Sequence, residues 1–236
     1  MQIMNSIILK AGRDTLTDPT VLKHIHQTLK LNQGDIVKAT VLNHGIGKAK
    51  LLKLTEEFAE FEFLEVEKKV EPWFDIIVGA SRPQTMKKIL EHGTTFGTQS
   101  FHIFKAHLSE KSYLDSQIYN DKDLNELTTL GLSQSALYYR LPEIQKYQYN
   151  PASKFSEQTQ KFVLDPNASQ SFLDVTIDFT KPIVLSFGPE RGFTNEDLTT
   201  FKNNGFNSIK ISSSILRVEH AIYATVAQLE MLKRKY

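Results

Sequence analysis

Apolar and polar residues keep two different rhythms along this chain, and the change falls at Pro72. Before it, short segments alternate. "IVKATVL" (36–42) and "AKLLKL" (49–54) predict strands joined by the glycine-bearing turn in "NHGIGK" (43–48). "FAEFEFLEVE" (58–67) alternates apolar and acidic residues except at Phe63-Leu64, where two apolar residues adjoin as they would at a β-bulge. Upstream, Asp18-Pro19 supplies an N-cap and a first-turn proline to "TVLKHIHQTLKL", whose Val21, Leu22, Ile25 and Leu29 recur at helical spacing. Several short strands with glycine turns and one helix predict a small β-barrel over residues 1–70.

After Pro72 the apolar runs become continuous. "WFDIIVGA", "SFHIFKA", "KFVLDP", "PIVLSFG" and "SIKIS" predict buried strands, separated by helical patterns such as "RPQTMKKILEHGTTFG", with Met86, Ile89 and Leu90 facing inward. Residues 121–140 read as a helix closed by Pro142, and "YQYNPASKFSEQTQ" as the most loop-like segment. Strands alternating with helices predict an α/β fold over residues 71–236, a parallel sheet covered on both faces. A last helix, Ile215 to Lys235, puts Ile215, Val218, Ile222, Val226 and Leu229 on one stripe, suited to a core or to a subunit interface.

A length of 236 residues allows one large domain or two unequal ones. No apolar run approaches the roughly 18–20 residues that span a bilayer, and Met1 to Leu9 lacks the marks of a signal peptide. Cysteine is absent, which removes disulfides and thiolate chemistry. A cytoplasmic protein is expected. The net charge of +1 conceals an asymmetry: residues 1–55 hold eight lysines and arginines against three aspartates, and residues 56–67 hold six glutamates and no base. Two readings stand side by side, solvated strand faces of alternating charge or a basic module that touches phosphates.

The usual nucleotide and hydrolase motifs are missing. Gly45-Ile46-Gly47 begins a G-x-G-x-x-G run but lacks the third glycine and joins two strands. "GLSQS" (131–135) lacks the final glycine of a nucleophile elbow and falls in a predicted helix. His24 and His26 are two apart, on different helix faces, so a shared metal is not expected. What remains is dense and carboxyl-terminal. "SFGPERGF" (186–193) leaves a buried strand through two glycines and a proline, and Thr194 with Asp197 can cap the helix that follows. Gly205 ends that helix, and "SIKI" runs into the small-residue turn of "SSSILRVEHA". Two such strand-end loops can form one backbone-lined pocket.

These residues resemble a known family. "IVLSFGPERGFTNEDL" followed by "GFNSIKISSSILRVEHA" is similar to the paired carboxyl-terminal motifs of the ribosomal RNA uridine-N3 methyltransferases of the SPOUT superfamily, the small-subunit methyltransferase E family. The likeness extends to "LKHIHQTLKLNQGDIVKATVLNHGIGKAKLLKL" and "SRPQTMKKILEHGTTFG", and so covers nearly the whole chain. It implies an amino-terminal PUA-like RNA-binding barrel, a catalytic α/β domain with a carboxyl-terminal trefoil knot, and a homodimer. It also implies S-adenosyl-L-methionine as cofactor, held largely by main-chain groups, and as substrate a uridine of 16S rRNA within the small ribosomal subunit.

Carried over by motif, Phe187, Gly188, Pro189, Glu190 and Gly192 would line one side of the cofactor pocket, and Ile211, Ser212, Ile215 and Leu216 the other. Arg217 would stabilise substrate charge, and Glu219 would act as base or orient that arginine. Lys23, His24, Lys48, Lys50, Arg82 and Arg140 would contact RNA, and no metal is implied. Arg191 stands where the family pattern has its second glycine, Ser212 where it has another, and His220 where it has threonine. A paralogue acting on another RNA site, or a non-catalytic RNA-binding module, are the alternative readings.

Overall fold

The computed structural model describes residues 6–10 and 12–234. The expectations resting on residues 1–5 and 11, and on Lys235 at the end of the predicted final helix, lie outside them. The chain forms two compact units, residues 1–72 with 128–141, and residues 73–127 with 142–236. No helix among the described residues is long and apolar enough to cross a membrane.

In the first unit, β1 (Ile7–Leu9), β2 (Arg13–Leu16), β3 (Ile36–Val41), β4 (Gly45–Leu54) and β5 (Ala59–Lys68) form a five-stranded sheet of order β1-β3-β4-β5-β2. The pairings are antiparallel except for β1 with β3. The predicted bulge is present: Lys48 pairs with Glu65 and Ala49 with Phe63, which leaves Leu64 as the extra residue. Helix α1 (Pro19–Lys23) starts where the Asp18 carboxylate accepts from the Thr20 and Val21 amides at 2.7 and 3.1 Å, and continues as a π-helical segment, His24–Leu29. Leu22 and Ile25 pack onto Ile7, Leu9, Val41, Leu51 and Phe61 as the unit's core.

Residues 128–141 belong to this unit by packing, which their sequence does not signal. The Ser133 carbonyl accepts from the Ser6 amide at 3.0 Å, and that of Tyr139 from the Asn43 amide at 3.0 Å. The helix predicted over 121–140 stops at Ser135, because Ala136 takes a left-handed conformation (φ 56°) and the Ser135 hydroxyl accepts from the Tyr138 amide at 3.0 Å.

The second unit comprises β6 (Phe74–Gly79), α2 (Pro83–Thr95), β7 (Thr98–Phe104), α3 (Asp121–Ser135, shared with the first unit), β8 (Glu143–Tyr147), β9 (Gln160–Leu164), β10 (Ile183–Phe187), α4 (Asn195–Asn203), β11 (Asn207–Ile209) and α5 (Val218–Lys233). Its six strands are all parallel, in the order β11-β9-β10-β6-β7-β8. Ile76, Val78 and Leu185 face a cluster shared with Met86, Ile89 and Leu90 of α2 and Val218, Ile222, Val226 and Leu229 of α5. Ile77 and Val184 face Phe201 of α4 on the other side. Burial on both faces accounts for the continuous apolar runs.

The final helix begins three residues later than its periodicity predicts. Ile215 is 87% exposed and precedes the Arg217 N-cap, so it leaves the apolar stripe that Val218, Ile222, Val226 and Leu229 keep.

Candidate functional site

Because the strands are parallel, the loops leaving β9, β10 and β11 emerge at one edge of the sheet. They enclose a cavity of about 430 Å³ with the start of α5. The GPERG loop is shaped by its own backbone. A Cβ on Gly188 would lie 2.7 Å from the Gly192 carbonyl carbon and 2.9 Å from the Phe193 nitrogen, so only glycine permits the chain to return there. The Gly192 amide donates to the Pro189 carbonyl at 2.8 Å, and Gly192 itself sits at φ 74°. The Pro189 ring rests on Gly79 at the end of β6, where a Cβ would come within 2.5 Å of Pro189 Cδ.

Glu190 points out of this turn. Its Oε1 accepts from the Arg82 amide at 2.9 Å, which caps α2. Beyond the loop, Thr194 and Asp197 form the predicted capping box, and Asp197, 2% exposed, also binds His107 Nδ1 at 2.8 Å. The hydrogen bond to Asp197 raises His107 above the ordinary imidazole range. The opposite wall is fixed by α5, where Gln228 Nε2 donates to the Ile211 carbonyl at 2.9 Å, and by the Ser212 hydroxyl, which accepts from the Ser214 amide at 3.1 Å.

Phe187, Gly188, Pro189, Glu190, Gly192, Ile211, Ser212, Ile215 and Leu216 all line this one cavity. Sequence reasoning missed Leu164 and Asp165 at the end of β9, Ile209, and Val218 and Ala221 of α5. The "LDP" that closes a strand paired to β10 was the available signal, since ligands gather at the carboxyl ends of adjacent parallel strands. Asp165 and Glu190 are the carboxylates bordering the cavity, and both accept backbone amides, from Asn167 at 2.9 Å and from Arg82. The remaining lining combines apolar side chains and peptide groups with Asn167, Arg191, Asn195 and two serines, a surface for an amphipathic ligand.

Arg217 is exposed and lies between the lining residues Leu216 and Val218. Glu219 does not reach it. Its carboxylate, 5% exposed, lies 3.2 Å from Lys88 Nζ on α2. Burial acts to raise this carboxyl, but its own amide at the start of α5 and the Lys88 ammonium outweigh that and hold it below the usual carboxylate range. The pair ties the first turn of α5 to α2.

The residues expected to touch RNA are dispersed. His24 is buried, like Leu22 and Ile25 of the same helical segment. Lys23 is exposed at the end of α1. Lys48 lies 3.2 Å from Glu65 and 2.8 Å from Glu67, and Lys50 stands opposite Glu62 across the β4–β5 ladder. Arg140 is 3.1 Å from Glu71 and stacks over Tyr139. On β4 and β5 the basic and acidic residues thus stand opposite one another, Lys48 in ion pairs and Lys50 by register.

Residues 68–230 match the family model for the RNA methyltransferase domain. The chain belongs to that family. Among RNA methyltransferase relatives, it is 28% identical over 213 residues to the ribosomal RNA small subunit methyltransferase E of Treponema pallidum, covering 86% of this chain and 80% of that one. It is 29% identical over 215 residues to ribosomal RNA small subunit methyltransferase E 1 of Borreliella burgdorferi, covering 87% of both. The fold is shared with a Neisseria gonorrhoeae ribosomal RNA small subunit methyltransferase E crystallised with S-adenosyl methionine: TM-score 0.80, 19% identity and 98% of each chain covered. The RNA methyltransferase domain match contains every residue that lines the cavity.

Proposed function

We propose that this chain is an S-adenosylmethionine-dependent methyltransferase acting on N3 of a uridine in 16S rRNA within the small ribosomal subunit, and that it works as a homodimer. One observation carries the reading: in a member of the RNA methyltransferase domain family, three strand-end loops gather nine motif residues around a single cavity. The names of the Treponema and Borreliella relatives support the ribosomal substrate, and the Neisseria structure supports the cofactor. The same reading includes a carboxyl-terminal knot formed by the β10 and β11 loops, a PUA-like role for residues 1–70, a catalytic unit over 71–236, and a second copy covering exposed Ile215.

The residues suit the cofactor. A volume of about 430 Å³ lies within the range of small-molecule sites. Gly188 leaves the turn without a side chain, Phe187, Ile211 and Leu216 offer apolar surface to a purine, and the peptide groups of 188–192 and 211–216 offer donors and acceptors. When bound, S-adenosylmethionine supplies an activated methyl group.

The protein's own task is then to present N3 and to tolerate the charge that develops there. N3 bears a proton and lies between two carbonyls, so its loss places negative charge on O2 and O4. The exposed guanidinium of Arg217, which follows the lining residue Leu216 in the chain, stabilises that charge. Lowering the energy of the imide anion lowers the pKa of N3, so that its proton passes to solvent water and no cavity carboxylate has to take it. Glu219, tied to Lys88, holds the first turn of α5 and thereby the base of Arg217; we assign it to positioning.

Arg217→Ala tests the reading. Methyl transfer to RNA is expected to fall by about 100-fold or more while the cofactor dissociation constant stays unchanged. Retained turnover refutes the role.

A further inference from the structure

The chain has six arginines. Four have partners: Arg13 lies 2.8 Å from Glu60, Arg140 3.1 Å from Glu71 and Arg234 3.9 Å from Glu230, and the Arg82 side chain hydrogen-bonds Tyr113. Arg191 and Arg217 have no side-chain hydrogen bond or ion pair among the described residues. These two are also the arginines at the cavity. Arg191 lines it directly, and Arg217 lies between two residues that do.

Arg191 stands on a fixed base. The turn beneath it is closed by the bond from the Gly192 amide to the Pro189 carbonyl. Its acidic neighbour does not neutralise it, because Glu190 is directed to the Arg82 amide. A planar guanidinium carried on a held backbone loses less freedom on binding than one on a mobile loop, and its fork of donors matches a phosphate. Elsewhere, the lysines of β4 already face the glutamates of β5, so the first unit offers a polyanion little unpaired charge on that strand.

We propose that Arg191 grips a backbone phosphate of the RNA, next to the nucleotide that enters the cavity. This rests on the RNA-methyltransferase reading above and adds to it a residue that positions the strand. Arg217 then meets the base, and Arg191 the backbone across the mouth. The methyl donor's carboxylate is the competing ligand. It is disfavoured because Arg191 is exposed, whereas Phe187, Ile209 and Val218 of the same lining are buried.

The test uses the full chain and a labelled single-stranded fragment of 16S rRNA, with affinity measured over a salt series. Arg191→Gln is expected to weaken RNA binding by about five- to tenfold at low salt and to reduce the slope of log K against log salt by about 0.7 to 0.9. Arg191→Lys should recover most of the slope, and calorimetry with S-adenosylmethionine should give the wild-type dissociation constant for both. An unchanged slope for Arg191→Gln overturns the proposal. So does a loss confined to the cofactor, or a wild-type chain that binds no RNA. A wild-type chain that binds RNA with the predicted slope but transfers no methyl group would instead sink the enzymatic reading and leave the phosphate contact standing.

Discussion

Gly188 and Gly192 are both required by the GPERG loop, but for different physical reasons, and substitution separates them. In Gly188→Ala the new Cβ meets main-chain atoms at 2.7, 2.8 and 2.9 Å, none of which can rotate away as a side chain end would. The loop must open, and overpacking of this kind costs about 1–3 kcal/mol. An empty cavity lets the loop relax, whereas a bound ligand demands the closed form. The strain should therefore appear as weaker binding of S-adenosylmethionine by about 5- to 140-fold. Gly192 has open space around the position of a Cβ but a φ of 74°, so Gly192→Ala costs only the left-handed penalty, about 1 kcal/mol. Asparagine tolerates that conformation better than alanine does. Calorimetric titration should thus rank Gly192→Asn above Gly192→Ala, and Gly188→Ala above Gly188→Asn. Equal affinities for Gly188→Ala and wild type, or asparagine ranking the same way at both sites, would refute the steric argument.

Three further outcomes follow. Lys88→Met strips the cation from buried Glu219; Lys88 is half exposed, so about 1 kcal/mol should be lost, a fall of about 2–4 °C in melting temperature. Because the Glu219 pKa is depressed in the fold, that difference should be present at neutral pH and vanish as pH falls through the carboxylate range. His107 behaves oppositely: its pKa is raised by Asp197, so its contribution is full below the unfolded imidazole value and lost as pH rises through the folded one. Comparing His107→Asn with wild type by thermal melts between about pH 6 and pH 9 should show a gap that closes with rising pH, and a constant gap would contradict the pairing. Thr194→Ala should cost about 1 kcal/mol through loss of the α4 cap, read by denaturant unfolding.

The second unit was legible where burial on both faces forced continuous apolar runs, at β6, β7, β9 and β10, and where caps are local chemistry, at Thr194-Asp197 and Gly205. Polar edge strands were not. β2, "RDTL", and β8, "EIQKY", each pair on one side only and carry the polar residues that an edge favours, so no apolar rhythm marks them. The stop at Ser135 was hidden because Ala136, not glycine, takes the left-handed conformation. Motif residues of the cavity could be named because glycine and proline report backbone shape. Its β9 wall, and the partners of Glu219 and Lys48, depend on which elements become neighbours, which a single sequence does not encode locally.

The most direct test is transfer of a labelled methyl group from S-adenosylmethionine to unmodified small ribosomal subunits by the purified chain, with the product mapped by mass spectrometry. The proposed function predicts one labelled uridine in 16S rRNA, methylated at N3, and no label with Arg217→Ala. Label on a ribose, on another base, or on no RNA at all would contradict it.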